Sequence, residues 1–190
     1  MKKGLTSVLF MLFITLTIEA QIYTTSKGAI RLEGVAQQET IVAESKTLEG
    51  KFDIGTRKFN FRQSLNQFSF SQGELQKKDA QEKYWETEKF PYASFKGVVI
   101  NDIDFTKNGV HEVTAKGILS MHGVDKEVKI SLEMKVIDGT IAVHTSFKIF
   151  LSDYNIKIPR LVVLKVSEAF EASSVFILRQ SLAKVPNDQI

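Results

Sequence analysis

Residues 127–150 read Glu127-Val128-Lys129-Ile130-Ser131-Leu132-Glu133-Met134-Lys135-Val136-Ile137-Asp138-Gly139-Thr140-Ile141-Ala142-Val143-His144-Thr145-Ser146-Phe147-Lys148-Ile149-Phe150. Val128, Ile130, Leu132, Met134 and Val136 alternate with charged or polar residues, and Ile141, Val143, Thr145, Phe147 and Ile149 continue the pattern. A period of two is that of a β-strand with one apolar and one wet face. Between the two runs stands Asp138-Gly139, a dipeptide that tolerates the positive φ angles of a two-residue hairpin turn. Two long antiparallel strands follow from this stretch alone.

Working outward, Asn108-Gly109 offers the same turn chemistry and predicts a hairpin joining Phe95–Phe105 to Val110–Met121, while His122-Gly123 turns the chain between the two hairpins. The four strands form a meander. Further strands are predicted at Lys27–Leu32, Lys51–Ile54, Arg57–Phe61, Gln67–Ser71 and Phe170–Arg179, giving eight or nine in all. In the last, Phe170, Ala172, Phe176 and Leu178 occupy one face and Val175 and Ile177 the other, which predicts burial on both sides. Only Glu74–Thr87 is rich in helix formers, and Pro91 ends that helical stretch. The fold class is all-β with one short helix. So many antiparallel strands must close or stack to hide their edges, and closure into a barrel is favoured.

The first twenty residues have a different character. Lys2-Lys3 precedes an uncharged run of 14 residues, Leu5–Ile18, short of the roughly 20 a spanning helix needs, and Glu19-Ala20 offers a cleavage point. Residues 1–20 therefore read as a signal peptide, which predicts a periplasmic or secreted protein with no stable membrane insertion after cleavage near Ala20. Residues 21–180 read as one domain and 181–190 as a polar tail. The chain has no cysteine, which excludes disulfides, thiolate metal sites, Cys nucleophiles and lipid attachment at a cysteine. Cleavage removes Lys2, Lys3 and Glu19 from a formal charge of +3 and leaves +2. Those charges are interspersed and point to no nucleic-acid partner.

The stretch Tyr84-Trp85-Glu86-Thr87-Glu88-Lys89-Phe90-Pro91-Tyr92-Ala93-Ser94-Phe95-Lys96-Gly97 resembles the signature of the YceI-like family, polyisoprenoid-binding and lipocalin-like proteins, in which a helix leads into K-[YF]-P-x-[AS]-x-F. Three further segments fall in the family's order: Lys116–Val128, Phe147–Ile156 with its Asp153-Tyr154, and, more weakly, Val162–Phe176. The resemblance covers residues 45–178 and departs from the pattern at Asp79, where many relatives carry histidine. It implies an extended eight-stranded antiparallel β-barrel whose tunnel holds a long amphiphilic lipid such as an isoprenoid, a quinone or a fatty chain.

The aromatic usage fits such a tunnel, with 14 Phe in the full chain, but fits a dry, filled core equally well. The candidate ligand-lining residues are Phe59, Phe61, Phe68, Phe70, Phe95, Phe105, Leu119, Met121, Phe147 and Ile149, with Tyr154 either a head-group contact or a brace for the Asp153-Tyr154-Asn155 turn. Trp85 could plug the barrel or anchor helix to sheet. His111, His122 and His144 form no metal-ligand spacing, although strand pairing could bring His111 towards His144. No nucleophile elbow, phosphate loop or dinucleotide fingerprint occurs. The expectation is a binding or carrier protein without catalytic residues, metal or cofactor; the alternatives are an enzyme acting on such a lipid and a filled barrel that binds partners.

Overall fold

The computed structural model describes residues 21–159 and 164–181. The signal-peptide reading of residues 1–20, most of the tail, and part of the Val162–Phe176 match lie outside the described residues. Nine strands are present among the described residues: β1 (Ile22–Val35), β2 (Thr40–Asp53), β3 (Lys58–Ser64), β4 (Ser69–Phe70), β5 (Tyr92–Val99), β6 (Gly109–Met121), β7 (Val124–Ile137), β8 (Thr140–Phe150) and β9 (Ala169–Gln180). All pairings are antiparallel, and the sheet runs β1-β9-β8-β7-β6-β5-β3-β2 before β2 pairs again with β1. Eight strands thus close a barrel, and β4 is a two-residue addition to β2. Closure removes the exposed edges that an open sheet would leave.

The alternation that opened the sequence analysis is reproduced in burial. Ile130, Met134 and Val136 of β7 are buried while Lys129, Ser131, Glu133 and Lys135 are exposed. Asp138-Gly139 and His122-Gly123 both adopt positive φ at both positions, as the predicted two-residue turns require. Asn108-Gly109 does not. Strand β5 ends at Val99, residues 100–108 form a loop, and neither Asn108 nor Gly109 is left-handed. Asn108 instead tethers the loop to the neighbouring turn: its Nδ2 donates to Asp138 Oδ1 (3.0 Å) and its Oδ1 accepts from the Asp138 N–H (2.9 Å). A side chain so engaged stabilises the adjacent hairpin rather than making one of its own.

Three other expectations need correction. The segment Lys51–Ile54 is the end of a 14-residue strand that begins at Thr40. Its first half is hidden in sequence by a bulge, where the register between β1 and β2 slips between Thr25 and Ile30 and breaks the period of two. The helix is shorter than Glu74–Thr87: α1 (Glu74–Asp79) passes into one π-helical turn over Ala80–Tyr84. Nor is β9 buried on both faces. Val175 and Ile177 are 56% and 41% exposed, because the outer face of a single closed sheet meets solvent with no second layer to cover it.

One end of the barrel is solidly packed. Phe52, Val136, Ile141 and Leu178 are at most 1% exposed, and Phe105, carried by the 100–108 loop, meets Phe52 edge-on at 5.2 Å. Burial of side chains of this size stabilises the fold by about 1.5–3 kcal/mol each. The other end carries α1, the π turn and a 3-10 turn over Leu151–Tyr154. Among the described residues no helix is long and apolar enough to cross a membrane.

Candidate functional site in the barrel

Inward-pointing residues above the packed end do not fill the barrel. They line a cavity of about 170 Å³. Strand β3 contributes Phe59, Phe61 and Gln63; β5 contributes Phe95; β6 and β8 contribute Leu119, Met121, Phe147 and Ile149. Phe68, between β3 and β4, completes the predicted set on this wall. The rings pack in a chain, Phe95 to Phe59 at 4.8 Å and Phe61 to Phe176 at 5.0 Å, in the tilted geometry aromatic pairs favour. Space for Phe61 exists because its partner across the sheet is Gly50. A Cβ there would lie 2.2 Å from the ring.

Three predicted residues are placed elsewhere. Phe105 belongs to the packed end, since the strand expected to carry it stops at Val99. Phe70 faces a second space nearer the mouth. Tyr154 is 3% exposed but lines neither cavity; it packs with Leu119, Leu151 and Ile156. Burial pushes its phenol up to about 12, and its carbonyl pairs with His122 Nδ1 at 3.0 Å. It braces the turn, while Asp153 leaves the backbone uncapped and pairs with Lys126 at 2.6 Å. The sequence reading also missed walls supplied by β1, β2 and β9, among them Ile30, Leu48, Phe52 and Phe176.

The wall is almost wholly hydrocarbon. Three of its polar members, Arg62, Gln63 and Thr145, hydrogen-bond to the protein, while the Gln63 carbonyl oxygen Oε1 is buried without a partner among the described residues. Buried Gln63 sits where β2 parts from β3 to pair with β4, and its Nε2 donates to Ser64 O (2.8 Å), Ser45 Oγ (2.9 Å) and Thr47 Oγ1 (3.1 Å). Arg62 directs its Nε to Glu49 Oε1 at 2.5 Å. Thr145 Oγ1 donates to Ser131 O at 2.9 Å.

A second chamber of about 340 Å³ lies along the same axis towards α1. The sequence of wall residues along the strands establishes the order. On β1, Ile30 lines the inner cavity and Leu32 both; on β2, Leu48 lies in the inner one, Ala43 and Ile41 in the outer; on β9, Phe176 and Ala172 precede Phe170; Ile149 at the end of β8 precedes Leu151. Trp85 stands at the junction, 5.4 Å from Phe68 of the inner wall and 5.5 Å from Phe70 of the outer. It packs against hydrophobic clusters on both sides of the mouth, so it both anchors the helical segment and partitions the two spaces.

The histidines do not converge. His111 lies on the inner face of β6, opposite Met134, whereas His144 is exposed on the outer face of β8, opposite Glu133. His122 is held in its turn between Tyr154 O, the Glu86 carboxylate (3.4 Å) and the Phe90 ring (4.7 Å). The carboxylate of Glu86 is held below its usual range, first by Lys89 and then by His122. Among the described residues no group of three or more His, Cys, Asp or Glu could hold a metal ion.

No curated protein matches the chain. Solved structures with the same fold include a polyisoprenoid binding domain from Saccharophagus degradans implicated in plant cell wall breakdown, at 13% identity and TM-score 0.71 over 85% of this chain and 99% of that one. Burkholderia cenocepacia BcnA is similar at 12% identity and TM-score 0.63, covering 79% and 95%. The Campylobacter jejuni YCEI protein is similar at 15% identity and TM-score 0.55, covering 96% and 100%. The YceI-like domain model matches residues 19–174. With a barrel of the expected strand number and that match over most of its length, the chain belongs to the YceI-like domain family.

Proposed function

We propose that the protein is a periplasmic or secreted carrier that shelters a long apolar chain, of isoprenoid, quinone or fatty type, inside its barrel, and that it is a binder rather than a catalyst. The observation that carries this reading is the apolar cavity inside the barrel, walled by Phe59, Phe61, Phe68, Phe95, Phe147 and their aliphatic neighbours. Such a wall offers an alkyl or prenyl chain transfer out of water worth about 25 cal/mol per Å² buried. Among the residues that line it there is no histidine, aspartate, glutamate, lysine or cysteine to act as acid, base or activated nucleophile. The structural likeness to a polyisoprenoid binding domain supports the same ligand class. The basic start and uncharged run of residues 2–18 support export.

Size adds a condition. An apolar cavity of about 150 Å³ holds one benzene, so 170 Å³ seats an isoprene unit or little more. A longer chain must pass Trp85 and continue into the outer chamber. Native mass spectrometry of the protein purified from its secreting host, with organic extraction of whatever travels with it, tests the proposal. A stoichiometric long-chain lipid is expected; protein that carries none and takes up neither prenyl nor fatty chains would overturn it.

A further inference from the structure

The two spaces differ in chemistry as well as position. The inner one is hydrocarbon, whereas the outer one presents Glu39, Gln72, Gln76, Asp79, Tyr84 and Lys165. An apolar compartment followed along the barrel axis, beyond Trp85, by a more polar one is the complement of an amphiphile, with its tail inside and its head group outside.

The charges of the outer chamber say which head group. Two carboxylates face it against one ammonium. That ammonium, Lys165, is already beside Glu39 at 3.7 Å, and Asp79 is engaged by Lys83 at 2.7 Å. Among the described residues lining the chamber, no cation is left to receive an anionic head group, and one that entered would have to compete with Glu39 and Asp79 for those ammonium groups. What remains are neutral hydrogen-bonding groups: the Gln76 amide, whose Oε1 is buried without a partner, the Gln72 amide, whose Nε2 donates to Thr40 O at 3.4 Å, and the Tyr84 phenol, a donor at neutral pH. Resting on the lipid reading above, we propose that the outer chamber selects an uncharged, hydrogen-bonding head group, such as an alcohol or amide, against a diphosphate or carboxylate on the same chain.

Trp85 is the only tryptophan in the chain, so its fluorescence reports directly on the junction that the ligand must cross. Four probes of equal chain length separate head from tail: geranylgeraniol, geranylgeranyl diphosphate, geranylgeranoic acid and the hydrocarbon phytane. Geranylgeraniol is expected to bind about tenfold or more tighter than either anion, the scale of one unfavourable charge contact in a partly screened site. The double variant Glu39→Gln with Asp79→Asn frees Lys165 and Lys83 and is expected to recover most of that difference for the diphosphate, while leaving phytane and the alcohol within about twofold. Diphosphate or acid binding as tightly as the alcohol to the unaltered protein overturns the proposal, as does a variant that tightens all four probes alike. If phytane and the other three bind without discrimination, head-group selection alone falls. If none of the four binds, the lipid reading falls with it.

Discussion

Gly50 and Phe61 are paired residues on adjacent strands, and each explains the other. The ring occupies the volume that a side chain at residue 50 would take. Gly50→Ala should therefore destabilise the fold by about 1–3 kcal/mol, the usual range for overpacking, and push Phe61 further into the cavity; urea denaturation and affinity for an apolar dye would both register it. Phenylalanines buried to different depths should also respond differently. Phe52 is 1% exposed in the packed end, and Phe52→Ala should cost about 3–5 kcal/mol. Both rings line the cavity, but Phe61 is only partly buried, so Phe61→Ala should cost clearly less, and equal losses in thermal unfolding would contradict that difference in packing. The inward set Phe59, Phe61, Phe95 and Phe147 was legible in the sequence because alternation assigns faces. The neighbouring aromatics were not, because Phe105 and Phe70 lie where alternation stops and only the path of a loop decides which way a ring turns.

Elements built on strict alternation and left-handed turns, such as the β7–β8 hairpin, follow directly from sequence. Those shaped by irregularity do not. The bulge that bends β2 hid half of that strand, and Asn108 carried a turn signal that the molecule uses as a tether. The 3-10 turn at the mouth gives a pH prediction. The Tyr154 phenol is raised, by burial first and by Asp153 second, to about 12, against roughly 10 when unfolded. Between those values the folded form holds a proton that the unfolded form has lost, so stability falls as pH rises from about 10 through about 12. Phenolate absorbance should show one tyrosine titrating last, coupled to loosening of the Leu151–Tyr154 turn; four tyrosines titrating together near their ordinary value would contradict the packing described. Asp104 gives the opposite sign in the 100–108 loop. Its carboxyl is lowered to about 2 by the Thr106 hydroxyl first, then by Lys107 and the Thr106 backbone N–H. The loop should keep its order from neutral pH down through about 4, where an ordinary aspartate protonates, and lose it only as pH falls towards 2. Chemical shifts of Thr106 across an acid titration would show this, and a midpoint near 4 would refute it.

At the scale of the whole molecule, barrel closure through β1 was expected from the cost of open edges, but the division of its interior into a packed end, a cavity and an outer chamber was not. That division depends on which long-range neighbours meet, Phe105 with Phe52 and Trp85 with Phe68 and Phe70, and no local pattern encodes such meetings. Amide hydrogen exchange should follow it, slowest around Ile141 and Leu178 and fastest over residues 74–90, with an added prenyl alcohol slowing the fast region far more than the slow one. Uniform protection along the barrel would argue against a ligand seated towards the mouth. The Phe105 plug also sets how any cargo travels. A barrel stoppered at one end is a cul-de-sac: a chain cannot be threaded through it from donor to acceptor, and whatever goes in tail-first must back out past Trp85, head-first, by the same door. On the carrier reading proposed above, loading and release then share one door, and both require Trp85 to move aside.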